Sequence, residues 1–109
     1  MATKWKVYRL EKTVDSNEAI ILARYFVDVV DDKDPENFAR HLDHVTFDPS
    51  PSSPDFVPFS DVTHDMALGW VKNKLGDNAQ EIEKRLEIEV FEATQPKTIA
   101  TTPWSLKDV

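Results

Sequence analysis

The chain has 109 residues and a formal net charge of -7, with 40% hydrophobic and 30% charged residues. That length suggests one domain with a thin core, and that balance reads as soluble and globular rather than disordered. The acidic excess repels phosphate backbones and disfavours general nucleic-acid binding, while the absence of cysteine excludes disulfides, thiolate catalysis and cysteine-ligated metals.

The opening MATKWKVYRL lacks the apolar run of a signal peptide. Residues 3–12 read as a strand rich in aromatic and β-branched side chains. The alternation is imperfect: Trp5 and Val7 point one way, Tyr8 and Leu10 the other. Either both faces are covered or a bulge shifts the phase. Lys4, Lys6, Arg9 and Lys12 are the best candidate for a local basic patch. On a regular strand these four do not share one face. KTVDSNE then reads as a turn.

Residues 19–30 fit two patterns. A helix would have a capping box, Asp15 with Glu18, and a stripe of Ala19, Leu22, Ala23, Phe26 and Val30. A strand would align Ala19, Ile21, Ala23, Tyr25, Val27 and Val29 on one face. The density of Ile, Val, Tyr and Phe favours the strand, because these residues lose rotamer freedom in a helix. The run is too short to span a bilayer and is interrupted by Arg24. DDKDPEN breaks the element. Residues 38–47 stay open: Pro35 suits a helix start, whereas HVTF reads as a strand end. DPSPSSPDFVPF is an irregular connector stiffened by Pro49, Pro51, Pro54 and Pro58.

The C-terminal half is more clearly punctuated. Thr63 is a good helix N-cap and Asp65 suits the positive helix end. Ala67, Trp70, Val71 and Leu75 form one stripe, edged by Leu68, and Gly76 fits a left-handed stop. Gly69 costs up to about 1 kcal/mol against alanine inside a helix. That cost predicts close packing of the Gly69 backbone against the sheet or the second helix. The second helix starts with a capping box, Asp77 and Gln80. Its buried stripe is Ala79, Ile82, Leu86, Val90 and Ala93, widened by Phe91, and Glu81 with Arg85 makes an i,i+4 pair. Pro96 ends the helix, and KTIATTPWSLKDV follows as a tail without pattern.

Taken together, FVPFSDVTHDMALGWVKNKLG, IEKRL, a following proline and TTPW resemble a family of small bacteriophage proteins of unknown function. The likeness begins at the Trp5 strand with its Leu10-Glu11 pair and ends at Pro103-Trp104. Two departures are DDKDPENFARHLD, where the family usually has a glycine-rich hairpin, and the extra SLKDV at the end. The resemblance implies a phage origin and an α+β fold, and it tips residues 19–30 further towards a strand. It implies no catalytic residues.

Little in the chain suggests chemistry. His41, Asp43, His44 and His64 are the only cluster resembling metal ligands, and their spacing matches no strong zinc signature. DVVDDKD lacks the glycine and terminal glutamate of a calcium loop. No nucleophile motif, P-loop or dinucleotide fingerprint is present, and two glycines cannot build a phosphate cradle. The expectation is a protein that is not an enzyme and needs no cofactor or metal.

The expected architecture is α+β: an N-terminal antiparallel sheet of about three strands with two C-terminal antiparallel helices on one face. Residues 1–47 form the meander, 48–61 the proline-rich connector, 62–95 the helical hairpin and 96–109 an extended tail. A strand apolar on both sides leaves one sheet face to bind something else. The candidate interface residues are Trp5, Phe56, Phe59 and Trp104. Trp5 packs in the sheet or on its edge, and Trp104 either folds back or anchors a partner. The expected function is that of a virion-associated structural protein: a decoration, tail or baseplate-associated subunit acting through protein–protein contacts. The alternative is an intracellular phage effector in the host cytoplasm that binds and inhibits a host protein. Expected partners are phage structural proteins or further copies of the chain. Nucleic acid and membrane are not expected, and a small-molecule ligand is disfavoured.

Overall fold

The computed structural model describes residues 1–94. Three strands, β1 (Ala2–Lys12), β2 (Ile20–Val30) and β3 (Phe38–Thr46), form an antiparallel meander in the order β1-β2-β3. A connector with one 3-10 turn at Phe59–Asp61 leads to α1 (His64–Leu75) and α2 (Asn78–Thr94). The fold is α+β, and α1 lies against β1 while α2 crosses β2 and β3.

Residues 20–30 are a strand because their alternation serves a two-sided sheet. Ala23, Tyr25, Val27 and Val29 are 0% exposed beneath the helices. Val27 and Val29 each contribute roughly 1.5–3 kcal/mol by leaving water. Trp5 and Val7 of β1, Ala39 and Val45 of β3, Ala67 and Val71 of α1, and Leu86 and Val90 of α2 complete the core.

The phase conflict in β1 is resolved by a bulge. Val7 pairs with Tyr25 and Arg9 with Arg24, so Tyr8 is the extra residue. Trp5 and Val7 point inward before the bulge, and Leu10 packs on the core after it. A second register shift follows between Glu11 and Lys12. On the outer edge of β1 the Val7 N–H donates to His64 Nε2 at 3.2 Å. That bond ties the first residue of α1 to the bulged segment.

The two hairpin loops are held by aspartates. Asp15 Oδ1 accepts from the Thr13 hydroxyl at 2.7 Å and the Asn17 N–H at 3.0 Å. Asp31 accepts from the Lys33 N–H at 2.9 Å, and Asp34 from the Glu36 N–H at 3.2 Å. The acidic run after β2 is therefore turn chemistry, with short side chains replacing missing backbone partners. Asp15 is a turn former here, with its carboxyl held below the usual range first by the Thr13 hydroxyl.

The helix punctuation holds for α1. Thr63 Oγ1 accepts from the Met66 N–H at 3.2 Å, and Gly76 closes the helix with its N–H on the Lys72 carbonyl; its φ of 57° with ψ of -130° lies outside the left-handed helical region and in one that only glycine adopts readily. Four expectations for the helices fail. Gly69 is exposed, and a Cβ built there meets nothing within 4 Å. No close approach among the described residues requires that glycine. Phe91 does not widen the buried stripe of α2 but stands 55% exposed, and Ala93, expected at the end of that stripe, is exposed as well. Arg85 does not pair with Glu81; its guanidinium reaches across to His41 Nδ1 at 2.8 Å. The Asp77–Gln80 capping box also does not form a side-chain bond among the described residues, although α2 starts where it predicts.

Candidate protein-docking face

Among the described residues, the helices cover one face of the sheet and no element covers the other. Its residues follow from the register. On β2 they are Leu22, Arg24, Phe26, Asp28 and Val30, each only partly buried. Their β3 neighbours are Thr46, His44, Leu42, Arg40 and Phe38. On β1, Lys4 lies beside Asp28, Lys6 beside Phe26 and Arg9 beside Arg24.

The bulge decides the character of this face. A regular strand would send Lys6 and Arg9 to opposite sides. The extra residue puts Tyr8 and Arg9 on the same side, so Lys4, Lys6 and Arg9 share one surface. Lys12, past the second shift, leaves this group. It pairs with Glu18 at 3.0 Å and sits over the Phe59 ring at 4.9 Å.

An apolar centre lies among these charges. Tyr8 and Phe26 are in ring contact at 6.1 Å, and the Arg40 guanidinium stacks 4.4 Å from the Phe26 centroid. Tyr8 is 46% exposed, Phe38 52% and Leu42 62%. Two cations are neutralised locally. Arg40 forms a bidentate pair with Asp28 at 2.6 and 2.8 Å, and Arg24 meets Glu11 at 3.5 Å. The bond to Asp28 holds the Arg40 guanidinium above its ordinary value. Lys4, Lys6 and Arg9 have no carboxylate partner among the described residues. The face carries five cations and two carboxylates, hence +3, on a chain of net charge -7.

The residues singled out from sequence fall elsewhere. Trp5 belongs to the core: its ring stacks on Tyr25 at 5.8 Å, and its indole N–H donates to Glu83 at 2.6 Å. A strand position beneath α2 leaves it no surface for a partner. Phe56 is half-buried in an apolar recess with Ile20, Phe47, Val57 and Trp70. Phe59 is 42% exposed, under Lys12 on the 3-10 turn. Phe56 and Phe59 lie on the connector and not on the open sheet face. Trp104 lies outside the described residues. Tyr8, Phe38 and Leu42 were missed, although the strand alternation and the bulge signal at Tyr8-Leu10 pointed towards them.

The histidines do not converge. His41 faces the helices and His44 the open face, as residues three apart on a strand must. His64 is spent on the β1 edge. No group of three or more potential ligands for a metal ion occurs among the described residues. A polar recess beneath α2 joins Tyr25, His41, Asp43, Glu81 and Arg85. Since an arginine only donates, His41 Nδ1 accepts its bond, and the ring proton resides on Nε2, 3.5 Å from Asp43. Burial raises the Tyr25 hydroxyl, and the Asp43 charge adds to that shift. A tyrosine held protonated in this way is the opposite of an activated nucleophile.

A family model described as a domain of unknown function (DUF7936) matches residues 1–104. The chain belongs to that family. The DUF7936 span takes in every strand and both helices, so the open face lies inside the family's domain. No curated protein and no solved structure matches the chain. No helix among the described residues is long and apolar enough to cross a membrane.

Proposed function

We propose that this protein is a non-catalytic structural component that acts by docking another protein on its open sheet face. The carrying observation is the exposed group of Tyr8, Phe38 and Leu42 beside three unpaired cations. Aromatic and aliphatic anchors within a polar rim are the usual make-up of a protein interface. The aliphatic members favour protein over nucleic acid. Leu22, Val30 and Leu42 offer no planes for base stacking, and Arg40 already covers Phe26. The overall negative charge acts in the same direction. The resemblance to small bacteriophage proteins supports the virion as the place of this contact, with the protein as a decoration, tail or baseplate-associated subunit.

The test is proteomic analysis of purified particles assembled with the wild-type chain or with a Lys4→Glu, Lys6→Glu, Leu42→Glu variant. These positions are exposed, so the variant should fold. The expected result is wild-type protein in the particle and at least about tenfold less of the variant, the loss that 1.4 kcal/mol of contact energy produces. Particles without the wild-type chain, or with the variant at equal copy number, would reject the proposal.

A further inference from the structure

A second exposed apolar surface lies on the opposite side of the molecule. Leu86 and Val90 turn one side of α2 to the core, so a period of 3.6 residues sends Glu81, Lys84, Ile88 and Phe91 outward. Ile88 and Phe91 are each 55% exposed. These two large apolar side chains, at i and i+3 on a solvent face, leave more than half of their surface in water. Glu81, Glu87, Glu89 and Glu92 surround them against the two cations Lys84 and Arg85, all exposed. This stripe is therefore apolar with a net charge of -2, whereas the open sheet face is apolar with a net charge of +3.

We propose that the partner on the open sheet face is the outer stripe of α2 from a second copy of this chain. This inference rests on the reading of that face as a protein-docking surface and adds the identity of the occupant. Two observations select a second copy. The two patches are opposite in charge, so each compensates what the other leaves unpaired. Each also presents isolated apolar side chains that the other can cover: Ile88 and Phe91 against Tyr8, Phe38 and Leu42. Two copies joined face to face through like-charged sheets would instead bring Lys4, Lys6 and Arg9 against their equivalents, which is repulsive.

The contact is heterologous, because it joins different surfaces of the two copies. The joined pair keeps one free helix stripe on one copy and one free sheet face on the other, so the contact propagates into a ring or an open chain of subunits. Such propagation suits a component that lines a larger assembly. The contact should also weaken with salt. Raising ionic strength from about 0.1 to 1 M shortens the screening length from about 10 to 3 Å.

The experiment is sedimentation velocity on two variants, separately and mixed. The face variant is Lys4→Glu, Lys6→Glu, Leu42→Glu; the stripe variant is Ile88→Glu, Phe91→Glu. All five positions are exposed, and circular dichroism verifies folding of each variant. The wild-type chain is expected to form larger species as concentration rises to about 100 μM. Each variant alone should stay monomeric. The equimolar mixture should give a 1:1 heterodimer and nothing larger, since one intact face then meets one intact stripe while the altered pair repels.

A wild-type chain that stays monomeric would overturn the self-association while leaving the docking face to the particle experiment above. A mixture that remains monomeric would overturn the heterologous geometry. Loss of association on removing residues 95–109, with both patches intact, would assign the contact to that segment and likewise overturn the proposal.

Discussion

Gly69→Ala should stabilise this protein. The position lies in the interior of α1, in the sixth of its residues from His64 to Leu75. Glycine there costs about 0.8–1.0 kcal/mol relative to alanine, because the unfolded chain loses more freedom on becoming helical. The methyl group brings no steric penalty, since an added Cβ meets nothing within 4 Å. The backbone is ordinary right-handed helix, and only Gly76 among the glycines has a positive φ. The full propensity difference should therefore appear as stability. An unfolding entropy of about 2.1 cal/mol/K per residue over residues 1–94 amounts to about 0.2 kcal/mol/K. The melting midpoint should then rise by about 4–5 °C. Calorimetry on the isolated protein measures this directly, with urea titration as a check on the free energy. An unchanged or lowered midpoint would mean that the outer side of α1 is packed against something in solution.

Other substitutions test the core, a cap and one titrating group. Leu86→Ala removes a side chain 1% exposed between α2 and the sheet, and should cost about 2–5 kcal/mol in urea unfolding. Thr63→Ala deletes the acceptor for the Met66 N–H and should cost about 1 kcal/mol, with Thr63→Ser restoring most of it. Tyr25 has its hydroxyl raised by burial, so the folded protein holds that proton above the pH at which the unfolded chain releases it. The corresponding stability is fully present below the ordinary tyrosine value of about 10 and is lost as pH rises through the folded value. Tyr25→Phe should therefore flatten the alkaline decline in denaturation midpoint, and an unchanged decline would remove Tyr25 as its source.

Much of the fold was legible because local chemistry and tertiary demand agree. Thr63 and Gly76 bracket α1 as their side-chain oxygen and conformational freedom dictate. Residues 20–30 were ambiguous by pattern, and β-branched density chose the correct state. Residues 38–46 could not be decided locally; pairing with β2 makes them a strand. The failures share a cause in long-range packing. Whether Phe91 is inside depends on the angle at which α2 crosses β2 and β3, and its sequence position alone does not define that angle. Arg85 had a helical neighbour in Glu81 but found His41 across the interface. Gly69 was read as a packing glycine from its cost, and the structure shows the cost without the packing. The docking face was half legible. Its spare apolar side was expected, but its basic character needed the bulge at Tyr8 to turn Arg9 beside Lys4 and Lys6. Trp5 drew attention by residue type and was a core residue by position.

The proposed docking buries the open sheet face in the working assembly. Hydroxyl-radical footprinting of the free protein and of the assembled particle tests it most directly, read at Tyr8, Phe38 and Leu42. These side chains are 46%, 52% and 62% exposed in the isolated chain, so all three should label readily there. In the assembly their labelling should fall at least severalfold, while Val14 at the far hairpin, fully exposed, keeps its rate. Equal labelling of the three residues in both states would contradict the account.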